Sequence, residues 1–160
     1  MRLYSITNMY TDGIHAGIQT QHSTVRLFVK YDKSRGDYFP QEDMLYDWAY
    51  DHETTVVLNG GMHDSLMEVL NQLQEWERHN ANEVLPFAPF FEPGINNALT
   101  SISIIMPQDA IDFMSEIRAK KPRNDIMTPE YTELYHNIHV AYGRHAFKLF
   151  ELVAFLPLAK

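Results

Sequence analysis

Residues 2–8 (RLYSITN) alternate between polar and apolar well enough to predict a first strand, with Leu3, Tyr4 and Ile6 apolar. The period then changes. Ile14, Ile18, Val25, Phe28 and Val29 recur at helical spacing, which predicts a helix from about Ile14 to Tyr31 with that stripe turned to the core. DKSRGDYF (32–39) reads as a turn region, and Pro40 can open a short helix carrying Met44, Leu45 and Trp48. TTVVLN (54–59) is β-branched and stops at Gly60-Gly61, the pattern of a second strand. Ser65 with Glu68 three residues on reads as a capping box, opening a helix to about His79 with Leu66, Val69, Leu70, Leu73 and Trp76 on one stripe.

The second half continues in short elements. EVLPFAPFF (83–91) predicts a strand that Pro86 and Pro89 make irregular or confine to an edge. EPGINN is a turn, TSISIIMP (100–107) a buried strand, and QDAIDFMSEIRAKK (108–121) a helix. PRND breaks the chain, and Thr128-Pro129 caps a long last helix. The order β-α-α-β-α-β-β-α-α predicts an α/β three-layer sandwich with a small mixed sheet of about four strands, plus a C-terminal helical extension. The chain divides on this reading into residues 1–120, an α/β domain, and residues 121–160, a helical extension packed on it.

Composition narrows the class. The chain has 160 residues and twenty aromatic side chains, enough for one domain with its own core. Cysteine is absent, which excludes disulfides, thiolate metal sites and a cysteine nucleophile, and points to a reducing, cytoplasmic setting. No uninterrupted apolar run approaches the length of a membrane span, so no membrane partner is expected. The net charge of −8 excludes a general nucleic-acid binder. The charge is uneven: residues 37–116 hold fifteen acidic side chains against one basic, Arg78, while 1–36 and 117–160 are mildly cationic.

Candidate chemistry gathers on the first helix. His15, Gln19, His22 and Arg26 follow one another at i, i+4, i+7 and i+11 and therefore share one side. Four features in order resemble the type-2 peptidyl-tRNA hydrolase family, the archaeal and eukaryotic kind. Gln19 and His22 reproduce a glutamine followed three residues later by histidine in the first helix. Trp48 precedes the strand VVL at 56–58. Glu92-Pro93-Gly94 resembles an Asp-Ala-Gly turn before a buried strand. Ala110-Ile111-Asp112, shortly after Pro107, resembles the start of a closing helix. The resemblance covers about residues 1–120. The chain departs from it where the family has two lysines, at His15 and Thr55, and where a threonine follows the turn, here Asn96.

The resemblance implies ester hydrolysis on peptidyl-tRNA or a related RNA conjugate, hence a tRNA partner. That reaction needs a positioned water, a group to orient or deprotonate it, and donors for the developing oxyanion. It casts Glu92 as the water-orienting carboxylate, with His15 or His22 as base or donor. Gln19, Arg26, Gly94 and Asn96 become substrate-binding positions, Asn96 and the backbone near Gly94 being the oxyanion donors. The alternative on the same scaffold is a non-catalytic, acidic module that grips a protein partner. No phosphate loop, dinucleotide fingerprint or nucleophile elbow is present, so no cofactor is expected. No metal is expected either. His15 and His22 lie about 10.5 Å apart along a helix, and His136 with His139 lacks a third ligand.

The last segment is apolar beyond one narrow stripe, from Tyr131 to Phe155. Leaving several large apolar side chains in water forfeits roughly 1.5–3 kcal/mol each. The expectation is therefore a homodimer that buries residues 128–156.

Overall fold

The computed structural model describes residues 1–11, 13–31, 40–122 and 127–159. The expected turn at 32–39 and most of the PRND breaker lie outside those residues.

Four strands form one mixed sheet, β1 (Arg2–Thr7), β2 (Thr55–Asn59), β3 (Phe87–Glu92) and β4 (Ala98–Met106), in the order β2-β1-β4-β3. β1 and β2 are parallel, and β4 runs antiparallel to both β1 and β3. The fold is the expected α/β class. β3 is an edge strand, the position that tolerates Pro89. The opposite edge is covered: the segment after the last helix lies along β2, with Asn59 N–H donating to Pro157 and Ala159 N–H to Val57.

Alternation along the strands assigns the two faces. Tyr4, Ile6, Leu58, Phe87, Ile102 and Ile104 point to the main core. There they meet α3 (His63–His79), α4 (Gln108–Lys120), α5 (Pro129–Tyr142) and α6 (Ala146–Ala154). Leu3, Ala88 and Ile105 point to the other side and pack with Leu27, Leu45 and Trp48 from α1 (Gly13–Lys30), α2 (Pro40–Asp47) and the π-helical turn that follows (Trp48–His52). The sheet thus lies between two helical layers.

Three expectations need correction. α3 begins at His63 with Met62 as its cap, so Ser65 and Glu68 are already helical and make no capping box. The last helix is two: Gly143, at a φ of 79°, lets the chain turn between α5 and α6. The apolar density of the C-terminal segment is explained within the chain. Tyr131, Leu134, Ile138, Leu149, Phe150 and Val153 are all buried in the main core against α3, α4 and the sheet. Phe155 is half exposed, beneath the Lys121 ammonium.

The largest departure concerns α1, whose helical period is as expected but whose faces are reversed. Ala16, Thr20, Ser23 and Leu27 are buried, while Ile14 is 77% exposed, Val25 59%, Val29 42% and Ile18 41%; Phe28 alone of the expected stripe packs inward, against the Leu27 cluster. The cause lies in the sheet. Under α1 the strands present Ser5, Ser101 and Ser103, all fully buried. Ser23 Oγ meets Ser103 Oγ at 2.7 Å, Thr24 Oγ1 lies 3.4 Å from the same atom, and Ser103 reaches Ser5 at 3.4 Å. Thr20, Ser23 and Thr24 also bond back to carbonyls of the preceding turn. A sheet face of hydroxyls needs partners for them. The side of α1 that carries Ser23 and Thr24 meets Ser103, and the Gln19 carbonyl meets Ser101, so the opposite, apolar side faces outward.

Candidate functional site

The best-connected polar group outside that seam joins α1 to the end of β3. The β3–β4 register slips between Phe90 and Phe91: Phe90 pairs with Ser101 and Phe91 with Leu99, leaving Thr100 as the extra residue of a bulge. A bulge re-aims the side chain of its extra residue. Here Thr100 and Ser101 both turn to α1. Thr100 Oγ1 donates to Gln19 Oε1 at 2.5 Å, and Ser101 Oγ donates to the Gln19 carbonyl at 2.7 Å. With its oxygen held by Thr100, the Gln19 amide directs its NH2 outward and donates to Glu92 Oε2 at 3.1 Å.

Glu92 is the last residue of β3 and the cap of a 3-10 turn over Pro93–Ile95; its other oxygen accepts from the Gly94 N–H at 3.3 Å. The Gln19 hydrogen bond, the Gly94 N–H and the nearby charge of His22 hold the Glu92 carboxyl below its ordinary value against a smaller opposing effect of desolvation. Glu92 is therefore an ionised, partly exposed carboxylate with both oxygens oriented. Asn96 and Asn97 follow in the left-handed region, at φ of 58° and 54°, and return the chain into β4.

One turn along α1 from Gln19, the exposed His22 lays its ring on Phe90, with centroids 4.5 Å apart and planes 20° from parallel. A hollow of about 320 Å³ continues from it, lined by Gln21, His22, Val25, Arg26, Val29 and Phe90. On the other side of the same helix a second hollow of about 330 Å³ is lined by residues including Leu3, Thr24, Trp48 and Thr55.

The expected site residues are therefore only partly assembled. Gln19, His22, Glu92 and Gly94 come together. Arg26 shares the first hollow with His22. His15 is exposed near the start of α1, and Asn96 is an exposed turn residue. Thr55 pairs with Leu3, at the opposite end of β1 from Thr7, whose partner Ser101 adjoins the site. It lines the second hollow and takes no part in the Glu92 group.

Thr100 belongs to the site and has no signal in a linear reading, because it depends on the bulge; Phe90 reaches α1 by the alternation that also puts Ala88 on that face. Among the described residues no group of three His, Asp or Glu side chains can hold a metal ion. His136 and His139 are exposed on α5. No described helix is long and apolar enough to cross a membrane. No family model and no curated protein matches the chain.

Proposed function

We propose that the Gln19–Glu92–His22 group is a hydrolytic site of the type-2 peptidyl-tRNA hydrolase kind, acting in the cytoplasm on the ester of peptidyl-tRNA or a related RNA conjugate. The observation that carries this reading is the Gln19 amide, locked between the Thr100 hydroxyl and the Glu92 carboxylate, with an exposed imidazole alongside. A carboxylate held ionised by two donors is a weak base but a good acceptor, suited to orienting a water. His22 receives the proton as that water adds to the ester carbonyl. The acyl–oxygen bond then breaks, the acid is released, and the leaving sugar hydroxyl takes the proton back. Because Pro93 has no N–H and that of Gly94 is given to Glu92, the exposed turn at 95–97 with Asn96 supplies the oxyanion contact.

Cleavage of a model peptidyl-tRNA tests this. Glu92→Gln and His22→Ala are each expected to lower the rate by about 10²-fold, the scale of a positioned acid–base group. Variants that fold and cleave at the wild-type rate remove these residues from the mechanism.

A second reading has its own support. The exposed apolar stripe of α1 beside this group favours a module that grips a protein. Retention of that protein by a folded chain that leaves every tRNA ester intact would favour the second reading over the first.

A further inference from the structure

The outer face of α1 carries a symmetry of its own. Its four exposed apolar residues pair as Ile14 with Val29 and Ile18 with Val25, each pair centred between Gln21 and His22. A two-fold axis through that midpoint, perpendicular to the helix, maps the stripe onto itself. This is the condition for a closed, self-complementary contact between two copies. Gln21 and Val25 border both hollows and so form the ridge of the face.

The charges fit the same operation. α1 contains no acidic residue. Rotation about that axis reverses the helix but keeps each flank on its own side. The flank with His22 and Arg26, next to Phe90 and Glu92, therefore meets its own counterpart. Arg26 falls level with position 17 of the other copy, where the side chains on the flank it meets are those of His15 and Gln19. Gln19, which holds Glu92, is two residues away, about 3 Å along the axis. The two arginines stay about 14 Å apart along the helix, beyond the Debye length at physiological salt. The antiparallel arrangement also sets opposite helix dipoles side by side.

We propose that two copies of the chain pair antiparallel across α1, so that Arg26 of each copy stands beside Glu92 of the other. The pairing stands apart from the hydrolytic reading, but it supplies a fixed cation beside each Glu92, which has no Lys or Arg partner among the described residues. It also places the dimer contact on α1 rather than on residues 128–156, whose apolar side chains are largely buried in the main core.

The chain has no cysteine, so single introduced thiols report the register directly. Gln21→Cys, at the axis, is expected to cross-link to its mate on mild oxidation. Ile14→Cys is expected not to, because its mate lies about 22 Å away along the helix. Ile14→Cys with Val29→Cys in one chain is expected to cross-link again. Sedimentation at about 100 µM, suited to a contact at the small end of the size range, is expected to show a wild-type dimer and an Ile18→Glu/Val25→Glu monomer with unchanged circular dichroism. Arg26→Glu is expected to weaken the dimer at least about tenfold, and Arg26→Glu/Glu92→Arg to restore it. A wild-type monomer at that concentration overturns the proposal. So does a self-cross-linked Ile14→Cys, or a dimer indifferent to Ile18→Glu/Val25→Glu or to Arg26→Glu. Esterase activity enters none of these readouts, so the pairing and the hydrolytic reading fail separately.

Discussion

Exchanging polarity on the two faces of α1 has opposite effects according to which face packs on the sheet. Ser23→Val adds bulk where the helix lies closest to the strands and removes the 2.7 Å contact to Ser103 Oγ, leaving that hydroxyl only the 3.4 Å contacts to Thr24 and Ser5. A buried hydroxyl deprived of its best partner costs about 1–3 kcal/mol, and overpacking a closed site a further 1–3 kcal/mol or so. The expected loss is about 2–5 kcal/mol, a large part of a domain's net stability. Ile18→Ser and Val25→Ser act on side chains 41% and 59% exposed and should each cost less than about 1 kcal/mol. Had the stripe faced the core, the ranking would reverse, with about 1.5–3 kcal/mol for each apolar residue removed. Urea unfolding followed by fluorescence of the two buried tryptophans, Trp48 and Trp76, measures all three. Repeating it at protein concentrations tenfold apart separates association through α1 from the fold. A neutral Ser23→Val beside an Ile18→Ser that costs 2 kcal/mol or so would refute the reversed packing.

Three further outcomes follow from single contacts. Gln19→Leu removes the main cause that holds the Glu92 carboxyl low, so its titration, followed by carbon NMR, should move up towards the ordinary glutamate value. For Glu151, burial pushes the carboxyl up, but Lys121, Tyr131 and Lys148 together outweigh it and leave it lowered. Its contribution to stability is then present above the ordinary carboxylate range and lost as pH falls through the lowered value; Glu151→Gln should flatten the acid limb of a Tm-versus-pH curve. Phe150→Ala opens a hole against Trp76 and Tyr142 in the main core and should cost about 3–5 kcal/mol in urea unfolding.

The fold was legible in the sequence because its signals are local. The β-branched run before Gly60-Gly61, the stripe from Leu66 to Trp76 and the alternation of Ser101, Ile102, Ser103 and Ile104 each set an element and a period. What a period does not supply is which side faces in. For α1 the decisive information sits about eighty residues away, in serines that alternate with isoleucines along β4, where Ser103 meets Ser23 and Thr24. Reading the stripe as core assumed that every buried face is apolar, and this interface is not.

The same distance limits the site. Gln19, His22 and Glu92 were accessible through local motifs and their order. Thr100 was not, because a bulge counts residues against a partner strand, and no linear pattern records that count. The capping box at Ser65 failed for a related reason: Met9 N–H bonds the Gly61 carbonyl, tying the β1 loop to the entrance of α3, and the helix starts as soon as the chain leaves that contact, at His63.

The claim that Gln19 positions Glu92 for work on an ester is tested most directly by single-turnover deacylation of an N-acetylaminoacyl-tRNA, with enzyme in excess, by wild type, Gln19→Leu and Glu92→Gln side by side. The account predicts release well above buffer for wild type, a loss of about 10²-fold for Glu92→Gln, and an intermediate loss for Gln19→Leu, which acts only through the carboxylate it holds. Three indistinguishable rates from folded proteins, whether all fast or all at the buffer level, would contradict it.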